Sequence, residues 1–363
     1  MNPLVSVIMS VYNGETYLEE AVSSILNQTF GDFEFIIIDD GSTDATPEIL
    51  QRFAVADSRV RVITQPNAGL TISLNRGLRL ARGDLLARQD ADDLAMPERF
   101  ERQVAVMQAN SEVVLCNTYL RFIDGNGETT HDLKRSPEHI GWYLHCFNHL
   151  AGHSQVMFRR AAVEAVDGYN ESIPDAQDYD LWLRLWERGE IQTICEILQS
   201  YRVHQGNVTA AQGERQLASG ISIQRAFLER RYGLRFSKKL LRLLRYFWNE
   251  CPYRPEIDWE KDLPQVCAAL RRLLRAYLTK FRGAKRARVA RELRLLIVNR
   301  IWEVLSIQER WNERHASKWS QMRIAGASFS FGLLRTLKIL KYVLFLRPPM
   351  AQKSTSDLPS ENR

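Results

Sequence analysis

The sequence predicts an α/β fold: a parallel sheet covered by helices, followed by a basic helical extension. Three observations predict it. Short β-rich runs alternate with helical patterns through the first 120 residues. The run Phe35-Ile36-Ile37-Ile38 is apolar at every position, as expected when both faces of a parallel strand are buried. Charge changes sign along the chain, with 20 Lys and Arg against 32 Asp and Glu through residue 230, then 27 against 9 from residue 231 to 347. The 363 residues suffice for one large domain and an extension. We read the domain as 1–230, the basic helical extension as 231–350 and a disordered tail as 351–363.

The elements run in order as a strand over Val5 to Val11, a helix over Tyr17 to Gln28, a strand over Phe33 to Asp39, a helix over Thr46 to Ala56 and a strand over Val60 to Thr64. That alternation is the signature of a helix-covered parallel sheet. Ligands of open α/β sheets gather beyond the carboxyl ends of the strands. The loops after Val11, Ile38 and Ala87 should therefore converge on one crevice, bringing Tyr12-Asn13-Gly14, Asp39 to Asp44 and Asp90 to Asp93 together. Asp44 with Thr46 and Pro47 is helix-start chemistry, and Asn67-Ala68-Gly69 fits a tight turn. From Glu98 to about Arg230 the pattern reads as a second layer of helices and loops.

Several classes are excluded. Cys116, Cys146, Cys195, Cys251 and Cys267 are scattered, without zinc or redox spacing, which points to a reducing cytoplasm. The N-terminus opens into Leu4-Val5-Ser6-Val7-Ile8-Met9, a strand and not a signal peptide. No uncharged run approaches the roughly 20 residues that span a bilayer; Phe331 to Leu346 is interrupted by Arg335, Lys338 and Lys341.

Asp90 and Asp92, one residue apart on a strand-end loop, can share a divalent cation with a diphosphate. Their hard oxygen donors suit Mg²⁺ or Mn²⁺, which take one or two protein carboxylates and complete their shells with phosphate and water. Alone, such a pair reads by default as a solvated acidic turn. A calcium loop lacks its glycine and its downstream glutamate at the required offsets.

The surrounding motifs decide between these. Val5 to Gly14, Ile38-Asp-Asp-Gly-Ser-Thr-Asp44, Asn67-Ala-Gly-Leu, Asn75-Arg-Gly-Leu, Ala81-Arg-Gly-Asp84 and Ala87-Arg-Gln-Asp-Ala-Asp-Asp-Leu-Ala-Met-Pro97 occur in one order. Over residues 4 to 210 the chain resembles the catalytic domain of glycosyltransferase family 2. The resemblance implies the GT-A fold, a Rossmann-like domain for nucleoside-diphosphate sugars. It implies that Ser10, Val11, Tyr12 and Asp40 hold the nucleoside, that Asp90 serves the ribose or metal environment and that Asp92 contacts the metal. Asp40 has a second reading as a helix cap, and Asp93 one as a loop residue. In the later motif Ala176-Gln-Asp-Tyr-Asp-Leu-Trp182 the resemblance makes Asp178 the catalytic base, although Gln177 stands where the family often has Glu. His204, in Tyr201-Arg-Val-His204, matches a histidine that closes over the diphosphate and joins the metal shell; imidazole favours Mn²⁺. Asp180 reads as a first-turn helix carboxylate, and His153 as a weaker candidate for substrate contact.

The reaction that the resemblance implies is transfer of a sugar from a nucleotide-sugar donor, expected to be a UDP-sugar, to a saccharide or lipid-linked acceptor. One carboxylate activates the acceptor while a metal neutralises the leaving group, and the anomeric centre inverts. A sugar-1-phosphate nucleotidyltransferase is a rival, but it should carry a Gly-rich basic loop where this chain has Tyr12-Asn13-Gly14-Glu15. A non-catalytic nucleotide-sugar-binding membrane module is another. The basic segments Lys238 to Trp248, Leu270 to Phe281, Val289 to Val304 and Phe331 to Leu346 read either as a packed helical appendage with a solvated face or as a surface for an anionic membrane at the inner face of the cell membrane. Nucleic acid is not an expected partner, because no binding module appears and the acidic first domain repels phosphates.

Overall fold

The computed structural model describes residues 2–173, 175–204, 206, 208–248 and 257–315, the side chains of 208–212, 260 and 307–315 excepted. The chain forms two compact units that divide after Leu241.

In the first unit, β1 (Val5–Val11), β2 (Phe33–Asp39), β3 (Val60–Thr64) and β4 (Leu85–Arg88) pair in parallel in the order β3-β2-β1-β4. Helices α1 (Leu18–Leu26), α2 (Thr46–Ala56) and α3 (Leu70–Leu80) connect them. Every residue of β2 is buried, including Glu34. Glu34 is tolerated there because Ser6, Arg61 and Arg82 all donate to its carboxylate. Two glycines let the layers close: a Cβ on Gly77 of α3 would lie 2.6 Å from Ile8 Cγ2, and one on Gly83 would lie 2.6 Å from the Ser6 backbone nitrogen.

The sheet continues into the part of the chain read as helices and loops. After β5 (Leu94–Ala95) and α4 (Arg99–Ala109) come β6 (Val113–Ile123), β7 (Thr129–Leu133), α5 (Ile140–Leu144), β8 (Met157–Arg159), α6 (Arg160–Glu164), α7 (Gln177–Trp186) and β9 (Glu190–Arg202). The full order is β3-β2-β1-β4-β8-β6-β9-β5, with β7 on β6. The sheet is therefore mixed, since β8 runs antiparallel to β4 and β6. Polar residues inside β6 hid it from the pattern. Asn117 and Thr118 are buried, and Thr193 of β9 donates to Asn117 Oδ1 at 2.9 Å, so their cost is met across the ladder. Helix α8 (Val208–Tyr232) packs on α7, and its Gln224 donates to the carbonyls of His145 and Cys146.

Helix α9 (Lys238–Trp248) runs through the division. In the second unit α10 (Trp259–Tyr277) and α11 (Gly283–His315) pack through Leu263, Val266, Leu270 and Leu273 on one helix and Leu293, Ile297, Ile301 and Val304 on the other, all buried. Among the described residues no helix is long and apolar enough to cross a membrane. The segment Phe331 to Leu346 and the tail 351–363 lie outside the described residues.

Candidate active site

The three loops meet as their strand order requires. Asn13 N–H donates to Ser42 Oγ at 3.0 Å, Gly14 N–H to Thr46 Oγ1 at 2.9 Å and Glu15 N–H to Asp44 Oδ2 at 3.1 Å. These bonds join the loop after β1 to the loop after β2. Asn13 adopts φ 51°, a left-handed turn that asparagine tolerates. A Cβ on Gly14 would stand 3.8 Å from Ala91 Cβ, so the acidic loop after β4 closes against the same point.

The acidic loop is fixed by β9. Strand β5 pairs Leu94 with Ser200 and Ala95 with Gln199. Arg202, buried at the end of β9, donates its backbone N–H to Asp93 Oδ1 at 2.9 Å and its Nε to the Asp92 carbonyl at 3.0 Å. Two residues on, His204 Nε2 lies 3.0 Å from Asp92 Oδ2, and its ring sits 4.8 Å from that of Tyr17. Gly206 N–H donates to His204 Nδ1, so in this state the proton resides on Nε2 and faces Asp92.

The three aspartates differ sharply. Burial pushes the Asp90 carboxyl up, but the Arg88 guanidinium and the Ser154 hydroxyl more than offset it and hold the group below the usual range. Burial raises Asp92, the charge of Asp90 raises it further, and His204 opposes both. Asp93 stands well above the ordinary carboxylate range, first by burial and then by the charges of Asp92 and Asp90. Ser154 Oγ lies 2.6 Å from both Asp90 Oδ2 and Asp93 Oδ2, and it also accepts from Asp90 N–H. A hydroxyl has one hydrogen to donate. The set is satisfied when Ser154 donates to Asp90 and a protonated Asp93 donates to Ser154. Behind the loop, buried Arg99 donates to Gln89 Oε1, Gln199 Oε1 and the Ser154 carbonyl.

Asp178 lies in the first turn of α7, preceded by Ala176 at φ 59°, a conformation that strains a residue with a Cβ. The apolar stripe Leu181, Trp182, Leu183, Leu185 and Trp186 is buried and anchors the helix. Asn148 Nδ2 donates to Asp178 Oδ2 at 2.8 Å. Burial raises the carboxyl, and Asp90 adds to the rise, which puts Asp178 within electrostatic reach of the acidic loop. His153, whose Nε2 is 2.6 Å from the Tyr169 hydroxyl, is within electrostatic reach of Asp90; burial and then Arg88 push its pKa down to about 3, so it is neutral at working pH. Asp180 is held by Arg184 four residues on.

The first strand's end presents its predicted residues unequally. Val11 is buried and its carbonyl accepts from Asp40 N–H at 2.8 Å, Ser10 is half-buried, and Tyr12 is 53% exposed at the rim. Asp40 is no helix cap. Its Oδ1 accepts from Gln65 Nε2 and Ala68 N–H, and its Oδ2 from Gly69 N–H, so it secures the turn at 67–69. A carboxylate has about four lone-pair sites, which leaves room for one further donor. Asp39 accepts from Ser42 N–H, while its Oδ2 is buried with no hydrogen-bond partner.

The expected ligand set for a cation reduces here to Asp92 and His204 beside Asp90; among the described residues no group of three or more His, Cys, Asp or Glu forms a metal cluster. The donors nonetheless fit Mn²⁺ or Mg²⁺ shared with a diphosphate, since few protein ligands are needed and uncompensated negative charge is present. Arg88 and Arg202 stand inside quoted motifs that gave them no role, Arg99 follows the acidic motif by two residues, and nothing in the sequence marks Asn148. Beside the site a cavity of about 830 Å³ is lined by Asn75, Arg79, Arg160, Glu171 and Arg184; Tyr169 lines it too, but none of Asp90, Asp92 and Asp178 does.

The family model for glycosyl transferase family 2 matches residues 6–166. A glycosyltransferase of Haemophilus influenzae, described as uncharacterized, is 34% identical over 220 residues, spanning 58% of this chain and 68% of its own. The chain belongs to glycosyl transferase family 2. This family 2 glycosyltransferase is also 32% identical over 215 residues to the O-antigen biosynthesis glycosyltransferase WbnJ of Escherichia coli, covering 55% of this chain and 80% of that protein. The crystal structure of S. aureus TarS 1-349 in complex with UDP-GlcNAc matches with a TM-score of 0.53 at 17% identity, over 76% of this chain and 81% of that one. The last likeness shows the fold alone, which is GT-A.

Asp93 supplies a test of the charge distribution. Its folded pKa stands above its unfolded value, so the unfolded chain releases that proton first and the protein loses stability as pH rises from about 4, the ordinary aspartate value. Asn at this position cannot titrate. In metal-free buffer the melting temperature of Asp93→Asn relative to wild type should therefore rise between about pH 4 and about pH 8. A flat or falling difference would show Asp93 ionised at neutral pH.

Proposed function

We propose that the protein transfers a sugar from a nucleoside-diphosphate donor, a UDP-sugar, to a saccharide or lipid-linked acceptor in cell-surface polysaccharide synthesis, with inversion at the anomeric carbon. The observation that carries this reading is the approach of Asp178, a carboxylate raised by burial, to the acidic loop at the end of β4. Two carboxylate centres with separate environments suit separate tasks.

Tyr12 offers an exposed ring to the base, and Asp40 has one acceptor position left for a base N–H. Asp90, kept ionised by Arg88 and Ser154, accepts from ribose hydroxyls. Asp92 with His204 would hold Mn²⁺ or Mg²⁺, which supplies charge neutralisation for the departing nucleoside diphosphate. His204 Nε2, which already faces Asp92, would be the ring nitrogen that joins this cation. Asp178 takes the proton of the acceptor hydroxyl as the acceptor oxygen bonds to the anomeric carbon and the bond from that carbon to the diphosphate oxygen breaks. A carboxylate whose pKa is raised by burial is a stronger base than an exposed one.

The family relative WbnJ is named for O-antigen biosynthesis, which supports a polysaccharide product. A place at the inner membrane face is supported by α11, where Leu295 and Trp302 are 59% and 47% exposed two turns apart, following Lys285, Arg286, Arg288 and Arg291. Such a surface suits anionic lipid, which attracts each Lys or Arg by about 1 kcal/mol.

Release of UDP from UDP-glucose, UDP-galactose, UDP-N-acetylglucosamine and UDP-N-acetylgalactosamine, with cell membranes as acceptor, should fall by roughly 10²-fold or more in both Asp92→Asn and Asp178→Asn, and NMR of the product should show an inverted anomeric centre. Wild-type turnover in both variants removes the site assignment, and retained configuration removes the direct displacement. In a separate measurement the full chain should sediment with phosphatidylglycerol vesicles and not with phosphatidylcholine vesicles, and about 1 M salt should release it. Equal binding to both lipids would argue for a packed appendage instead.

A further inference from the structure

Asn148 makes a choice that packing alone does not explain. It stands on the loop after α5, half-buried, and its Nδ2 donates to Asp178 Oδ2 at 2.8 Å. Its own carbonyl oxygen, Oδ1, is buried with no hydrogen-bond partner. A buried amide oxygen left unpaired is costly. A side chain serving only its own loop would satisfy that end first. This one satisfies the end that faces Asp178.

The loop that carries Asn148 is clamped from both sides. Arg135 Nη1 donates to the carbonyls of Asn148 and His149, each at 2.9 Å, and its guanidinium lies 5.3 Å from the centre of the Phe147 ring. His149 stacks on Tyr143 at 4.4 Å and its Nε2 is bonded to the Ser136 carbonyl at 3.0 Å. Across the gap, Tyr179, the residue after Asp178, donates its hydroxyl to the Leu144 carbonyl at 2.6 Å. Two successive residues of the first turn of α7 are thus tied to the segment 144–148, so the amide and the carboxylate hold a fixed relation.

We propose that Asn148 is a positioning residue for the transfer reaction: it grips Oδ2 of Asp178 and leaves Oδ1 to receive the acceptor hydroxyl. The proposal rests on the reading of Asp178 as the base. The groups facing Asp178 agree with it. Asp90 on the loop after β4 and burial both disfavour the charged carboxylate, and the Tyr169 hydroxyl, within electrostatic reach, is taken by His153. On its own helix Asp178 has backbone N–H donors from its own residue and Tyr179, while Asp180 is neutralised by Arg184. Asn148 is the side chain that donates to the charged form from another element. It therefore opposes burial and favours the ionised form of the base.

The test uses the full chain, metal-free, labelled with ¹³Cγ-aspartate. The NMR resonance missing from Asp178→Asn belongs to Asp178. In Asn148→Leu its titration midpoint should rise by roughly one pH unit, a tenfold change in proton affinity. In Asn148→Asp, which keeps the shape, the midpoint should rise at least as far. The acid limb of kcat/KM for UDP release from the four UDP-sugars above should move by the same amount, with KM for the donor little changed. Unmoved midpoints in both folded variants overturn the proposal and leave Asn148 a packing residue. If Asp178→Asn turns over at the wild-type rate, the base reading fails instead, whatever the two midpoints show.

Discussion

The rest of the site depends on how the protein distributes charge among Asp90, Asp92 and Asp93, three carboxylates within four residues of one another. Full ionisation of all three in a buried loop would be prohibitively repulsive. Arg88 and Ser154 stabilise the charge on Asp90, His204 tempers Asp92, and Asp93 is driven toward its neutral form. The result is one firmly ionised carboxylate, one held above its ordinary range and partly exposed, and one acid serving as a donor in the loop. A cation would relieve the middle one most, which is why the position with the strained charge is also the position with the open face.

The sheet exists around this loop in a literal sense. The acidic segment leaves β4, forms the two-residue strand β5 and is hydrogen-bonded to β9, which enters the sheet beside β6 and delivers Arg202 and His204 to Asp92 and Asp93. Asp178 arrives from a different direction, on α7, tied down by the segment after α5. On the proposed reading, donor chemistry and proton chemistry fall to separate elements, whose mutual placement is set by the packing of α7 and β6 rather than by the local chain.

Much of this was legible in the sequence, for physical reasons that differ between its halves. Strand β2 was readable because a parallel strand buried on both faces leaves a nearly unbroken apolar run, β1 and β3 were readable as β-rich runs between helical patterns, and the convergence of Tyr12 to Glu15 with Asp39 to Thr46 follows from strand order. The later strands were not readable. β6 carries Asn117 and Thr118 in buried positions, and in the first half of β9, Glu190 to Cys195, Ile194 alone is buried. Their strand character comes from pairing with one another, a tertiary fact. The roles of Asp92 and Asp178 were suggested by motif. The protonation partner Ser154 and the support from Asn148 arise only from contacts 61 and 30 residues distant in sequence.

Charge at the acidic loop is best probed through the cation proposed to bind there. Mn²⁺ titrated into the full chain and followed by electron paramagnetic resonance, with and without UDP, reads the coupling between cation and diphosphate. UDP should tighten Mn²⁺ by about tenfold or more in the wild type and in Asp93→Asn, and that coupling should vanish in Asp92→Asn. Equal Mn²⁺ affinity with and without UDP, or undiminished coupling in Asp92→Asn, would contradict a donor site organised around Asp92.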